Sequence, residues 1–484
     1  MWTLCVISLL LFSGCTVGPD FVRPQAPSAD HYNHEKDPSE TVPVEGLSQR
    51  FDKGVGPVAN WWILFNSKQL DAIVAEGFAN NPGLEAAQAS LRQSNDNLQA
   101  GYGIFYPQIN ADINPTRQLF SPARTGSSAP GSIFNLVTLS ASVSYSLDIF
   151  GLEHRVVEGL QSQVDLQRST VLGTYLSLSG NIVNTAIAMA AYRDEINCTE
   201  QLIALQKEQI SITEKQAQAG TVSFQAVLSL RSQLASIEAA LPALQQRLNQ
   251  SEHLLSILAG HSPSEWTPAE ISLSELSLPE KLPLSLPSKL VRQRPDILVA
   301  EAQLHSASAN IGVATAAQFP SFTLNGTYGQ NAASMNGLFG SNARFWGLGA
   351  DLTVPLLNGG TLSAKKQAAV DAYQQSLALY RQTVLAAFAQ VADSVRALAH
   401  DAETMQAESQ SVETSEESLR LAQINYTAGM INYLQVLAAD ILHHQAKIAY
   451  IQAQAQRLQD TTALFVSLGG GWSTAGASGI LNGQ

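Results

Sequence analysis

The fold is decided by a stretch that occurs twice, as Ala219-Gly220-Thr221-Val222-Ser223-Phe224 and as Ala428-Gly429-Met430-Ile431-Asn432-Tyr433. Each copy ends a proline-free interval, Gly151 to Gly220 or Gly360 to Gly429, and both intervals span 69 positions. They are rich in Ala, Leu, Gln and Glu, so each predicts one helix of roughly 100 Å. A second helical pattern follows each turn. The sequence therefore predicts an internal duplication of long helical hairpins.

A pair of strands precedes each long helix, as an apolar period of two indicates. Residues 108–114 and 137–147 alternate apolar with uncharged polar side chains around a polar loop, 118–135, and residues 322–328 and 346–354 repeat the arrangement. Strands of about ten residues with Ser, Thr and Asn on the polar face are typical of membrane barrels. A soluble sheet with one wetted face is the alternative interpretation.

Four strands do not close a barrel, because an open edge leaves backbone N–H and C=O groups unpaired in lipid. We therefore expect other copies to supply the missing strands, and a trimer closes the ring. The predicted fold class is an α+β membrane protein. The duplicated helical hairpins form a trimeric α-barrel, and the four strands of each chain contribute to a 12-stranded transmembrane β-barrel.

The N-terminus carries an apolar run, Leu4 to Phe12, followed by Ser13-Gly14-Cys15. The run is too short to span a bilayer, so residues 1–14 are predicted to be a signal peptide. Ser-Gly-Cys resembles a bacterial lipobox, in which Cys15 is lipidated, and Thr16 after it favours the outer membrane. An ordinary signal peptide with an incidental cysteine is the alternative.

These patterns divide the chain into six segments. They are the signal peptide (1–14), a lipid-anchored N-terminal arm (15–66), the first repeat (67–260), an equatorial linker (261–286), the second repeat (287–468) and a flexible C-terminal tail (469–484). Each repeat consists of a helix, a strand pair and a helical hairpin. Within the arm, residues 17–58 show no apolar period, so we expect this part to be extended on the surface.

Composition and motifs exclude several functions. A net charge of -13 excludes a basic nucleic-acid surface, so no nucleic-acid partner is expected. No HExxH, GxSxG or CxxC pattern and no phosphate-binding loop occurs, so we predict no enzyme, no catalytic residue and no cofactor. Asp440 and His444 share a helix face, but two ligands make only half of a metal site. A polar helix face is the preferred interpretation, and no metal is predicted.

The order of the elements and several motifs resemble the outer-membrane factor family of efflux channels. The motifs are Thr16-Val17-Gly18-Pro19-Asp20-Phe21, Trp61-Trp62, Arg294-Pro295-Asp296-Ile297, Leu356-Leu357-Asn358-Gly359-Gly360 and Tyr426-Thr427-Ala428-Gly429. The chain looks like a TolC-like member, especially an OprM-like, NodT-type efflux lipoprotein, over essentially residues 15–470. This resemblance implies a homotrimer anchored in outer-membrane lipid of a Gram-negative bacterium, with its helical tunnel in the periplasm.

The resemblance also implies a function. Such a channel passively conducts small molecules, drugs or other toxic compounds, out of a tripartite efflux system. Its partners are a periplasmic membrane-fusion adaptor protein and an inner-membrane transporter, of the resistance-nodulation-division type. A type I protein secretion exit duct shares the architecture and is the main alternative. A secreted helical filament or adhesin is a weaker one, because it lacks a lipobox and membrane-length strands.

The resemblance finally implies site residues at the hairpin turns. The adaptor is expected to contact Gly220, Thr221, Val222, Gly429, Met430 and Ile431, and the alternative is that the glycines are only helix caps. In relatives, the helix after the second turn brings a ring of Asp, or of Leu with Asp, to the periplasmic mouth. The gate positions here are Leu434, Gln435, Ala438 and Asp440. We expect Leu434 to form an apolar ring, and whether Asp440 faces the lumen stays open.

Overall fold

The computed structural model describes residues 16–28, 30–34, 37–44, 46–121, 126 and 130–471. Within these residues the helices are α1 (Lys68–Asn80), α2 (Pro82–Tyr102), α3 (Leu152–Gln218), α4 (Phe224–Leu258), α5 (Pro287–Leu290), α6 (Pro295–Ala316), α7 (Thr361–Thr427) and α8 (Tyr433–Ser467). The strands are β1 (Arg50–Lys53), β2 (Gln108–Phe120), β3 (Ser132–Leu147), β4 (Lys281–Leu284), β5 (Ser321–Ala332) and β6 (Arg344–Thr353). Each hairpin joins a helix of 67 residues to one of 35, which confirms the predicted duplication.

The chain divides into two compact units. The first consists of Met1–Pro24, Leu91–Gln167 and Ala300–Tyr380, and it contains the larger sheet. The second consists of Gln25–Ser90, Arg168–Val299 and Arg381–Gln484, and it contains both hairpin turns. Among the described residues, no helix combines the length and the apolarity that crossing a bilayer requires.

In the first unit, four antiparallel strands form one sheet in the order β2-β3-β5-β6. The register aligns Ile109 with Val143, Val143 with Gly326, and Gly326 with Leu348, so the apolar positions of all four strands share one face. This face is uncovered in the chain, with Leu348 80% and Ile109 75% exposed. The predicted alternation is confirmed. Both β2 and β3 extend further into the predicted loop, because ladder hydrogen bonds continue where the apolar alternation has ended.

In the second unit, the hairpin helices lie side by side in the order α4-α3-α8-α7. Arg193 of α3 pairs with Glu252 of α4 at 2.8 Å. Gln452 of α8 donates a hydrogen bond to Glu195 of α3 at 3.0 Å. The second turn joins α8 to α7. The outermost helix α4 buries only three of its 35 residues, so most of its surface is uncovered in the single chain.

The N-terminal arm, which we expected to be extended on the surface, is partly folded into the second unit. β1 pairs in parallel with β4, and Arg50 lies opposite Lys281. Trp61 is fully buried and stacks on Phe465 of α8, with 5.4 Å between the ring centroids. The expectation for residues 17–58 was therefore wrong at β1. Strands of four residues are too short to show an alternation in the sequence.

Arg294 is a buried cation that joins three helices of the second unit. Its guanidinium donates to the Ser467 carbonyl at the end of α8 at 2.8 Å and to the Gln390 side chain of α7 at 2.7 Å. It also pairs with Asp296 at the start of α6 at 2.7 Å. A cation at a helix C-terminus compensates the unpaired carbonyl groups there. The Arg-Pro-Asp-Ile motif thus has a structural role.

A second buried cation, Arg457 of α8, holds the arm. It is 1% exposed and donates to Gln49 and Thr41 at 3.0 and 3.2 Å. Asp401 of α7 lies near Arg457, and its pKa is raised to about 7. The main cause is burial, and the hydrogen bond and the charge of Asp460 add to it. Two adjacent carboxyl groups cannot both ionise without repulsion, so this pair retains a proton up to near-neutral pH.

Asp401→Asn is expected to change the pH dependence of stability. The folded protein keeps the Asp401 proton up to about pH 7, whereas an unfolded aspartate loses it near pH 4. This carboxyl group therefore makes stability fall as pH rises through that window, by up to about 1.4 kcal/mol per pH unit. Thermal unfolding in detergent between about pH 4 and pH 7 measures the slope. The slope is expected to flatten in Asp401→Asn and to persist in the control Asp393→Asn, an exposed position. An unchanged slope in Asp401→Asn contradicts the assignment.

Candidate gate and docking turns

The two hairpins end in turns of the same geometry. The amide of Thr221 donates to the Gln216 carbonyl at 3.0 Å, and Met430 makes the equivalent bond at 2.9 Å. Gly220 and Gly429 have φ angles of +74° and +73°, the left-handed conformation that ends a helix in a Schellman motif. A Cβ atom at either position meets no other atom within 4 Å. Conformation rather than space therefore requires glycine at both turns.

The six residues predicted to contact an adaptor all lie at these turns. Four of them are exposed, namely Gly220, Thr221, Gly429 and Met430. The other two, Val222 and Ile431, are half-buried. Two apolar side chains at the turns reach water, since Met430 is 67% exposed and Phe224, which begins α4, is 59% exposed. Exposed apolar side chains clustered at a turn are typical of a surface that binds another protein.

Helix α8 carries the four predicted gate positions in its first turns. Gln435 and Ala438 are exposed on one face, and Leu434 is half-buried. Asp440 lies about 200° around the helix from Ala438, and its carboxylate is 3.5 Å from Nε2 of His444. The structure therefore brings Gln435 and Ala438 onto a common face and places Asp440 on a different one.

A contact that the sequence did not indicate joins the two hairpins near the second turn. The hydroxyl of Tyr433, the first residue of α8, hydrogen-bonds the Glu208 carboxylate of α3, and this bond raises the pKa of the tyrosine. The Tyr433 ring lies against Tyr426 of α7, with 5.4 Å between the centroids. No local pattern reveals such a pair, because its two members lie in different repeats.

The two histidines of α8 belong to a packed helix face. His443 is 5% exposed, and its Nδ1 lies 3.2 Å from the Ser415 hydroxyl of α7. Burial lowers the pKa of both His443 and His444. In the part of the chain that the structure describes, no three His, Cys, Asp or Glu side chains are grouped to hold a metal ion. The predicted lipidation site, Cys15, lies outside the described residues.

The family of the chain follows from comparison with known sequences. The sequence model of a family described as outer membrane efflux protein matches residues 75–261 and 286–470, once in each predicted repeat. The chain belongs to the outer membrane efflux protein family. It is therefore an outer-membrane efflux channel of a Gram-negative bacterium. The members of this family are channel proteins.

Individual relatives agree with this assignment. The chain is 28% identical over 420 residues to the pyoverdine export outer membrane protein OpmQ of Pseudomonas putida, which covers 86% of this chain and 89% of that one. It is 25% identical over 463 residues to the cation efflux system protein CusC of Escherichia coli, 96% and 97% of the two chains. The solved outer-membrane channel OprN matches with a TM-score of 0.83 and 25% identity over 95% of this chain and 100% of that one. The fold of helical hairpins with a β-domain is therefore that of an outer-membrane factor.

Tyr433→Phe is expected to loosen the contact between the hairpins. Phenylalanine keeps the ring against Tyr426 but cannot donate a hydrogen bond to Glu208. One hydrogen bond contributes a net free energy of about 0.5–1.5 kcal/mol. The lower part of this range corresponds to a roughly threefold shift towards the open channel, so conductance in planar bilayers is expected to rise about threefold. Tyr426→Phe is the control, because it removes a hydroxyl at the same turn and leaves the Glu208 bond intact. Equal conductance in Tyr433→Phe and the unmodified channel contradicts a restraining role.

Proposed function

We propose that this chain is the exit channel of a tripartite efflux system and works as a homotrimer. Three sheets close into a 12-stranded barrel across the outer membrane, and three pairs of hairpins form an α-helical barrel in the periplasm. The observation that carries this proposal is the four-stranded sheet of the first unit. It is apolar on one exposed face, and each of its edge strands pairs on one side only.

The edges of the sheet require partners from other copies. β2 and β6 are 13 and 10 residues long, and each pairs with a single neighbour in the described chain. In lipid, each unpaired backbone group costs several kcal/mol. Pairing β2 of one copy with β6 of the next satisfies both edges, and such a head-to-tail contact generates a closed ring. Three copies give an even strand number, as bacterial barrels have.

The helices of the second unit support the same arrangement. The four hairpin helices, in the order α4-α3-α8-α7, form the helix row. Its two end helices, α4 and α7, are exposed over much of their surface. Neighbouring copies cover these surfaces when α4 of one chain lies beside α7 of the next. The sheet and the helix row thus have the same requirement, a further copy at each side.

We place the periplasmic gate at the first turns of α8. The exposure of Gln435 and Ala438 supports lumen-facing positions for these two residues. Leu434 contributes an apolar side chain beside them. Asp440 lies on nearly the opposite face of α8, with its carboxylate 3.5 Å from Nε2 of His444. The six residues of the two hairpin turns contact the periplasmic membrane-fusion adaptor, and their exposure and neighbouring apolar side chains support this role.

The partners follow from the efflux function. The adaptor connects the channel to an inner-membrane transporter of the resistance-nodulation-division type, and lipidation at Cys15 anchors the chain in outer-membrane lipid. One relative is named for pyoverdine export and another for cation efflux. Substrate choice therefore lies with the pump, and the channel conducts small molecules. That the relatives are efflux proteins favours efflux over the type I secretion duct.

Leu348→Arg tests the membrane face of the sheet. Leu348 is 80% exposed on the apolar face of the edge strand β6. An arginine facing lipid near the middle of the bilayer costs about 2–4 kcal/mol, so the yield of heat-modifiable trimer in outer membranes is expected to fall at least tenfold. Gly349→Arg, one residue along on the opposite face, is the matched control and is expected to assemble. Equal trimer yields for the two variants contradict a lipid-facing sheet.

A further inference from the structure

Residues 16–24, called the strap below, belong to the first unit and lie where β3 leads into α3. The amide of Val17 donates to the Phe150 carbonyl at 3.1 Å. Thr16 approaches Gly151 so closely that a Cβ atom at Gly151 comes within 2.6 Å of its side chain. The strap therefore begins in direct contact with the loop between strand and helix.

Arg155 of α3 is the centre of the strap's binding site. Its side chain is only 6% exposed, and it pairs with Asp20 of the strap at 2.8 Å and with Glu158 of its own helix at 2.7 Å. Its guanidinium also donates to the carbonyl groups of Val17 and Gly18 at 3.3 and 3.4 Å. Without the strap, this buried guanidinium keeps the Glu158 pair but loses three other partners, so its charge is compensated less well. The docked strap and the buried charge therefore stabilise each other.

A second set of contacts joins the strap to α6. The Glu158 carboxylate lies 2.9 Å from Nε2 of His305. The His305 ring stacks on Phe21 of the strap, with 4.3 Å between the centroids. Arg23 donates to the Glu301 carboxylate at 2.6 Å. The strap thus binds α3 and α6 at the same time, and Glu158 connects the two sets of contacts.

The two helices that the strap joins are attached to the central strands of the sheet. β3 ends at Leu147 and α3 begins at Leu152, while α6 ends at Ala316 and β5 begins at Ser321. β3 and β5 pair directly with each other. A segment that links α3 to α6 therefore fixes the base of the central strand pair.

We propose that the strap couples the N-terminal lipid anchor to the sheet, with Arg155 as its positioning residue. The strap holds the first residues after the anchor at the base of β3 and β5, so that anchoring orients the sheet for closure into a barrel. This inference rests on the lipidation of Cys15 under the proposed function. It adds a role to residues 16–24 and to Arg155, Glu158 and His305.

A single substitution at a glycine of the strap, Gly18, tests whether docking of the strap matters. Gly18 has a φ angle of +95°, and a Cβ atom there lies 2.5 Å from Cα of Gly312. Gly18→Ala therefore pushes the strap away from the backbone of α6 and leaves the sequence of every strand and helix unchanged. Gly54 in the second unit has a φ angle of +80° and open space around it. Gly54→Ala introduces the same backbone strain without the clash, so it is the matched control.

The experiment uses the full-length chain, expressed with its N-terminal signal and extracted from outer membranes. In Gly18→Ala, hydrogen exchange at the Val17 amide is expected to accelerate at least tenfold, and the fraction of heat-modifiable trimer to fall at least fivefold. The acyl mass on the N-terminal peptide and the helical content are expected to be unchanged. Arg155→Gln is expected to act in the same direction. Gly54→Ala is expected to match the unmodified protein.

The contrary outcomes are distinct. Fast exchange at Val17 with a normal amount of acylated trimer shows that strap docking is not needed for assembly, and it overturns the inference alone. A similar loss of trimer in Gly54→Ala assigns the effect to backbone strain and also overturns it. An N-terminal peptide without acyl chains in the unmodified protein overturns the lipidation, and the inference fails with it.

Discussion

Every backbone N–H and C=O group that enters a bilayer must have a hydrogen-bond partner, and the rest of this structure depends on that constraint. The sheet has an apolar face that water does not favour and two edges that lipid does not tolerate. A single chain cannot satisfy both conditions, because closing four strands on themselves leaves no interior. In the ring that we propose, additional copies of the chain satisfy them, and the sheet of each copy supplies both of the edges that pair.

The helical hairpins depend on a backbone constraint of their own, at the turns that join their helices. Each hairpin must reverse direction after 67 helical residues, and Gly220 and Gly429 make this possible through left-handed helix caps. The turns leave apolar side chains in water, and the Tyr433 bond to Glu208 joins the two hairpins beside them. The proposed docking surface is thus adjacent to a contact between the hairpins, which is the arrangement that the proposed gating by a partner requires.

Much of this fold could be predicted because its signals are local. The hairpin helices, the turn glycines and the alternating strands each follow from neighbouring residues, and the structure confirms them. The contacts that position the site could not be predicted, since each joins distant parts of the chain. No pattern in the sequence indicates that Arg294 binds the end of α8 or that Arg155 binds the strap. The pairing of β1 with β4 could not be predicted for the same reason.

The central claim is that the chain assembles as a ring of three. Native mass spectrometry of the mature protein, extracted from outer membranes in a mild detergent, tests this claim most directly. We expect a complex with the mass of three chains and no stable monomer, because an isolated sheet has unpaired edges. A stable monomer, or a ring of a different number of chains, contradicts a trimeric channel.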